Sequence, residues 1–267
     1  MQPEPDHQTA VAMLLWQHDL GATEAGLDAP LNRYELAEAA PAPVLPPAPV
    51  PVARKPPAAL AGPVKAGPDP VAVARDMAGR ADSLEALRAA LEGFDLCEIK
   101  RGARSTVFAD GNPAARVMVI GEAPGREEDA AGLPFVGRAG QLLDRMFAAI
   151  GLGRQSPDPV SAIYLTNVLP WRPPQNRDPS PEEIAMMQPF LARHVELVAP
   201  DLLVVMGNVP CQAVLGCRGI TRMRGTWGQG MGRPVLPMFH PAYLLRNPAA
   251  KRETWADLLA LQARLRG

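Results

Sequence analysis

Three segments of this 267-residue chain set polar or aromatic side chains among turn-forming residues, the pattern of a small ligand site. The first is Gly121-Glu122-Ala123-Pro124-Gly125, continuing as Arg126-Glu127-Glu128-Asp129. Two glycines around a proline make a tight turn and let a ligand approach the backbone closely. The turn is neither G-x-G-x-x-G nor a Walker loop, so it carries no nucleotide signature. Just downstream, Gly132-Leu133-Pro134-Phe135-Val136-Gly137 places one aromatic in a loop, either as a core plug or as a platform for a planar ligand. The second segment is Thr166-Asn167-Val168-Leu169 followed by Pro170-Trp171-Arg172-Pro173-Pro174-Gln175-Asn176-Arg177. The Asn167 carboxamide offers one donor and one acceptor, to a ligand edge or to nearby backbone. The third, Phe239-His240-Pro241-Ala242-Tyr243-Leu244-Leu245-Arg246-Asn247-Pro248, holds one of only four histidines. His240 reads either as a structural histidine or as an electrostatic catalyst facing the other two segments.

Each segment follows a short apolar run. Arg116–Ile120, Ala162–Leu169, Asp201–Met206 and Val235–Phe239 read as four buried strands. Helical periodicity falls between them, over Ser83–Phe94, Gly140–Ile150, Pro181–Val198, Asn208–Leu215 and Arg252–Leu265. Alternating strands and helices predict an α/β fold in three α/β/α layers around a central, mostly parallel four-stranded sheet. Ligands of such sheets bind beyond the carboxyl ends of the strands, which is where all three segments lie.

Charge and proline divide the chain. The formal net charge of −1 conceals an acidic head: residues 1–40 carry seven acids and one base, with one possible short helix over Ala10–Leu20. Eleven of the 31 prolines fall in residues 41–70, a Pro/Ala-rich stretch expected to be a semi-rigid linker. Residues 71–267 form the expected folded domain, with 23 basic and 20 acidic residues. Between Asp201 and Glu253 there is no acid, whereas Arg218, Arg222, Arg224, Arg233, Arg246, Lys251 and Arg252 all lie there. Clustered arginine is the footprint of a phosphate-facing surface, although a solvated face has the same composition. No apolar run is long enough to span a membrane. The start of the chain is not signal-like, and three cysteines cannot close a disulfide framework, so a cytoplasmic protein is expected.

Taken together, GEAPGREEDAAGLPFVGRAG (121–140), NVLPWRPPQNRDP (167–179) and HPAYLLRNP (240–248) resemble the family 4 uracil-DNA glycosylases, over residues 94–261. The resemblance implies a DNA repair enzyme that flips uracil out of single- or double-stranded DNA and hydrolyses the N-glycosidic bond. It implies that Phe135 stacks on uracil and Asn167 pairs with its Watson–Crick edge. The backbone N–H groups of Glu122 and Ala123 would hold O2, and His240 would stabilise charge on the departing base. Glu128 would position water or stabilise the sugar cation, or else merely start a helix. Leu244 or Leu245 would wedge into the vacated stack, with Arg246 on phosphate and Arg172, Arg177 and Arg224 as further DNA contacts. No lysine matches a lyase nucleophile, so a monofunctional enzyme that leaves an abasic site is expected.

The family's four-iron four-sulfur cluster needs four cysteines. Only Cys97 occupies a matching position; Lys100, Trp171 and Met187 replace the others, and Cys211 and Cys217 match none. No cofactor and no metal site are therefore expected, with Trp171 and Met187 filling the volume. The alternatives are a non-catalytic binder of uracil DNA and a covalently trapping one. Trapping requires a basic insertion and a histidine that QNRDPSPEE lacks. A small-molecule α/β hydrolase is disfavoured because there is no G-x-S-x-G elbow. A monomer is expected, with residues 1–70 available to a repair or replication partner.

Overall fold

A computed structural model describes residues 68–266. The acidic head and nearly all of the Pro/Ala linker lie outside these residues. The first described element is a helix the periodicity did not reveal, α1 (Pro70–Arg80), capped by Asp69, whose carboxylate accepts from Val71 N at 3.0 Å. Then come α2 (Leu84–Glu92), whose N-cap is Ser83, and the single turn α3 (Ile99–Gly102).

The sheet has six strands rather than the expected four. β1 (Ala109–Gly111), β2 (Val117–Gly121), β3 (Ile163–Asn167), β4 (Leu202–Met206), β5 (Gly228–Gly230) and β6 (Arg233–Met238) lie in the order β1-β3-β2-β4-β6-β5. The four central strands are parallel and correspond to the four apolar runs. The two additions are antiparallel edges of three residues each, ADG and GQG. Neither has an apolar run, because an edge strand can be held by its ladder with little side-chain burial.

Along the central strands successive side chains alternate between two cores, as the two-residue strand period demands. Met118, Ile120, Tyr164, Leu203 and Val205 face α1, α2, α6 (Pro181–Val198) and α7 (Asn208–Leu215). Val117, Val119, Ile163, Leu165 and Val204 face α5 (Arg138–Ala148) and α10 (Lys251–Arg266). The three-layer α/β/α architecture follows from a sheet buried on both faces. Short helices α4 (Arg126–Ala131), α8 (Ile220–Met223) and α9 (Pro241–Arg246) complete the chain. No described helix is long and apolar enough to cross a membrane.

Candidate active site

The turn after β2, the end of β3 and the residues after β6 converge on one cavity of about 210 Å³. Its walls include Glu122, Ala123, Glu128, Phe135, Asn167 and His240. Strand register accounts for the nearest pair, since Gly121 lies opposite Asn167 at the carboxyl ends of neighbouring parallel strands. A Cβ on Gly121 would sit 2.3 Å from Asn167 Oδ1 and 2.4 Å from Phe135 Cζ, so only glycine lets both side chains close over the strand end. The Asn167 carboxamide makes no hydrogen bond to any described residue, which removes the nearby-backbone alternative. Beyond Gly121 the two segments stay linked, with Val168 N donating to Gly121 O at 2.9 Å and Leu169 N to Glu122 O at 3.0 Å. The N–H groups of Glu122 and Ala123 have no acceptor among the described residues.

Phe135 is both wall and plug: it is 6% exposed, packs in the core on the α5 side, and lines the cavity. Its φ of 55° is left-handed, which costs a bulky residue about 1–2 kcal/mol and persists only where the surroundings enforce it. Glu128 enforces part of it. One carboxylate oxygen accepts from Val136 N at 3.1 Å and Gly137 N at 2.9 Å, the other from Gly125 N at 3.1 Å. It therefore ties the β2 turn to the Phe135 loop while accepting from the N-cap N–H, Gly125 N, at the start of α4. Arg154, which sequence reasoning missed, supplies the rest through the carbonyls of Pro134 and Phe135. Nothing in its local sequence marks it, since its partners lie 10 to 44 residues away.

His240 is the N-cap of α9, and its Nδ1 accepts from Ala242 N at 3.2 Å. Burial, then the positive charge of Arg246, push its pKa down to about 4, with Glu128 opposing. At neutral pH the ring is thus uncharged, and with Nδ1 as acceptor the single proton resides on Nε2. The ring lies 5.9 Å from that of Phe135, centroid to centroid. Burial also raises the Glu122 carboxyl, with Asp178 adding to the rise and Arg218 opposing it. The cavity thus combines an aromatic face, an unpaired amide, two unpaired N–H groups and a neutral imidazole donor. That set matches a flat, neutral heterocycle with a polar edge that gains negative charge.

A sequence model of the uracil DNA glycosylase superfamily matches residues 108–259, more than half of the chain and every residue of this cavity. The chain belongs to the uracil DNA glycosylase superfamily. It is similar to a type-4 uracil-DNA glycosylase of Archaeoglobus fulgidus, 37% identical over 172 residues, covering 60% of this chain and 82% of the relative. It is also similar to one of Thermotoga maritima, 36% identical over 171 residues and covering 63% and 86%. A DNA polymerase of Bacillus phage SP01 is 29% identical over 157 residues, 59% of this chain and 16% of the polymerase.

Three of the expected DNA contacts of this superfamily member need correction. Residues 241–246 form the helix α9, and Leu244 on it has no exposed surface, so it is not placed to wedge into DNA. Leu245, 37% exposed, is the one presented. Arg224 is not available to phosphate, because it pairs with the buried Asp257 and with Glu253, and stands over the Phe239 ring. Burial raises the Asp257 carboxyl, and Arg224 opposes that rise. Arg177 reaches the cavity wall, but both terminal nitrogens are engaged by Glu183. Arg172 donates to Asn176 Oδ1 at 2.8 Å, and Arg246 makes no ion pair among the described residues.

The iron–sulfur cluster implied for type-4 members does not fit the donors present. Cys97, Trp171 and Met187 are all buried in the core on the α6 side, and burial raises the Cys97 thiol, which disfavours thiolate. The Lys100 ammonium stands 5.7 Å over the Trp171 ring and bonds to Asp95 and the Glu92 carbonyl. One thiol beside a cation, an indole and a thioether is no cubane ligand set. No group of three or more His, Cys, Asp or Glu among the described residues could hold a metal ion.

Proposed function

We propose that this chain is a DNA repair glycosylase that removes uracil from DNA by hydrolysing the N-glycosidic bond and leaves an abasic site. The observation that carries this reading is that an unpartnered Asn167 amide, a neutral His240 and the Phe135 ring line one cavity, sized for one base. A uracil flipped out of the stack lies on Phe135. Asn167 accepts from N3–H and donates to O4; cytosine presents the opposite pattern and leaves buried polar groups mispaired. As the C1′–N1 bond breaks, negative charge passes to the base and accumulates at O2. The Glu122 and Ala123 N–H groups and His240 Nε2–H meet that charge where it develops. Water then adds its oxygen to C1′ of the sugar cation, and the proton it releases neutralises the departing uracil anion. Glu128 lines the cavity with three acceptor positions already taken by backbone N–H groups, and its remaining lone pair orients that water. Leu245 fills the vacated stack while Arg246 and Arg172 contact phosphate.

The same reading holds that the enzyme is monofunctional, acts as a monomer on single- or double-stranded uracil DNA, and works without an iron–sulfur cluster. The test is incubation of the full chain with uracil-containing single- and double-stranded DNA, followed by alkali. Strand breaks at uracil support the proposal; tight binding with no breaks above control would replace it with a non-catalytic binder. Iron analysis of anaerobically purified protein tests the cluster proposal separately, and stoichiometric iron would overturn it.

A further inference from the structure

We propose that Arg154 is a positioning residue of this reaction, holding the Phe135 ring in the orientation that receives the base. The inference rests on Phe135 being the stacking aromatic. The Arg154 side chain is 8% exposed and makes four hydrogen bonds to four groups. Nη1 donates to Pro134 O at 3.0 Å and to Asp110 Oδ2 at 2.9 Å; Nη2 donates to Phe135 O at 2.9 Å; Nε donates to Asp144 Oδ1 at 2.8 Å. Two acceptors are the consecutive carbonyls on either side of the Phe135 backbone nitrogen and α-carbon. The other two are carboxylates on β1 and α5, so the loop is referenced to both a strand and a helix.

Close contacts on two sides restrict where Phe135 can move. A Cβ on Gly140 would lie 1.7 Å from Phe135 O, so α5 presses directly against the peptide that Arg154 grips. Gly121 meets the ring edge closely enough that a methyl there would overlap Cζ. With half of the support for the left-handed φ at Phe135 gone, the peptide relaxes and the ring shifts toward the cavity it lines, where the base belongs. Glu128 holds the Phe135–Val136 peptide from its N–H side and Gly137 N beyond it, but it makes no bond to the Pro134–Phe135 peptide, whose carbonyl Arg154 holds. Lysine cannot substitute for Arg154: one ammonium has three donors on one atom, whereas the four acceptors surround a planar fork.

The test uses the full chain with Arg154→Lys, Phe135→Ala and the double variant, each checked by thermal melting. The readouts are KM and kcat on a uracil-containing single strand, and inhibition by free uracil, which reports base capture without DNA. Misplacing the platform should raise KM and the uracil inhibition constant on the order of tenfold or more, with kcat changed much less. Because Arg154 acts through Phe135, Arg154→Lys should add nothing in the Phe135→Ala background. Multiplying effects in the double variant, or a loss confined to kcat, would overturn the assignment. If Phe135→Ala alone leaves both constants unchanged, the stacking reading fails instead, whatever Arg154 does. Should Arg154→Lys not fold, Asp144→Asn removes one carboxylate from the guanidinium at a half-exposed position. The same shift at smaller size then supports the proposal, and unchanged uracil inhibition opposes it.

Discussion

Replacing His240 by asparagine separates the two tasks of its ring. As N-cap of α9 the imidazole accepts from Ala242 N, and asparagine is among the best residues for that position, so the helix start survives. What disappears is the Nε2–H donor of a ring that lines the cavity. One preorganised donor at a developing oxyanion is worth about 3–4 kcal/mol, so the single-turnover rate should fall by roughly 10²–10³. Affinity for uracil DNA should change little, because the donor acts mainly on charge that appears in the transition state. His240→Ala is the less clean variant, since it also loses the cap at about 1 kcal/mol. The pH profile follows from the same bond. With its pKa pushed down to about 4, chiefly by burial, His240 stays neutral through the physiological range, and the wild-type rate should be flat there. The rate should fall as pH approaches that value, because a protonated Nδ1 can no longer accept from Ala242 and the ring loses its anchor. Single-turnover excision with enzyme in excess, measured by alkaline strand cleavage, checks both. An inflection near the ordinary histidine value, or an asparagine variant within tenfold of wild type, would refute this reasoning.

Other substitutions separate binding from architecture. Arg246→Ala should weaken DNA binding and lower the slope of log Kd against log salt by about one, while melting like wild type. Arg224→Ala should instead destabilise the fold by about 3 kcal/mol or more, because it strands the buried Asp257 carboxylate; a denaturant melt reads it. Leu244→Ala should cost about 2–5 kcal/mol of stability, whereas Leu245→Ala should leave stability nearly unchanged and reduce excision from duplex more than from single strands. Acid should unfold the protein through its histidines. His194, held near 3 by burial, and His240, near 4, refuse protons that the unfolded chain accepts below its histidine pKa. Both pKa values are lowered on folding, so the stability they support is complete above about pH 6.5 and is lost as pH falls, at about 1.4 kcal/mol per unit for each. Urea melts at pH 7 and 4.5 should show His194→Gln losing markedly less on acidification than wild type.

Much of the site was legible because its carriers are local patterns. Apolar runs bounded by glycine and proline located the four central strands, and the motifs at their ends put Gly121, Asn167 and His240 on one rim of the sheet. Periodicity likewise marked α2, α5, α6, α7 and α10. Register and burial, which no local pattern contains, decided the remainder. β1 and β5 have no hydrophobic signature, because hydrogen bonds to a neighbouring strand make them strands. Adjacent leucines at 244 and 245 are equivalent in sequence, and only the packing of α9 against α5 buries one and exposes the other. The acid-free stretch suggested seven available cations, yet Asp257, across 33 residues, neutralises Arg224. Arg154 stands in an unremarkable loop, and its role arises from partners on β1, α5 and the Phe135 loop. Residue types can announce a chemistry, but which carbonyl a guanidinium grips depends on distances set by the whole chain.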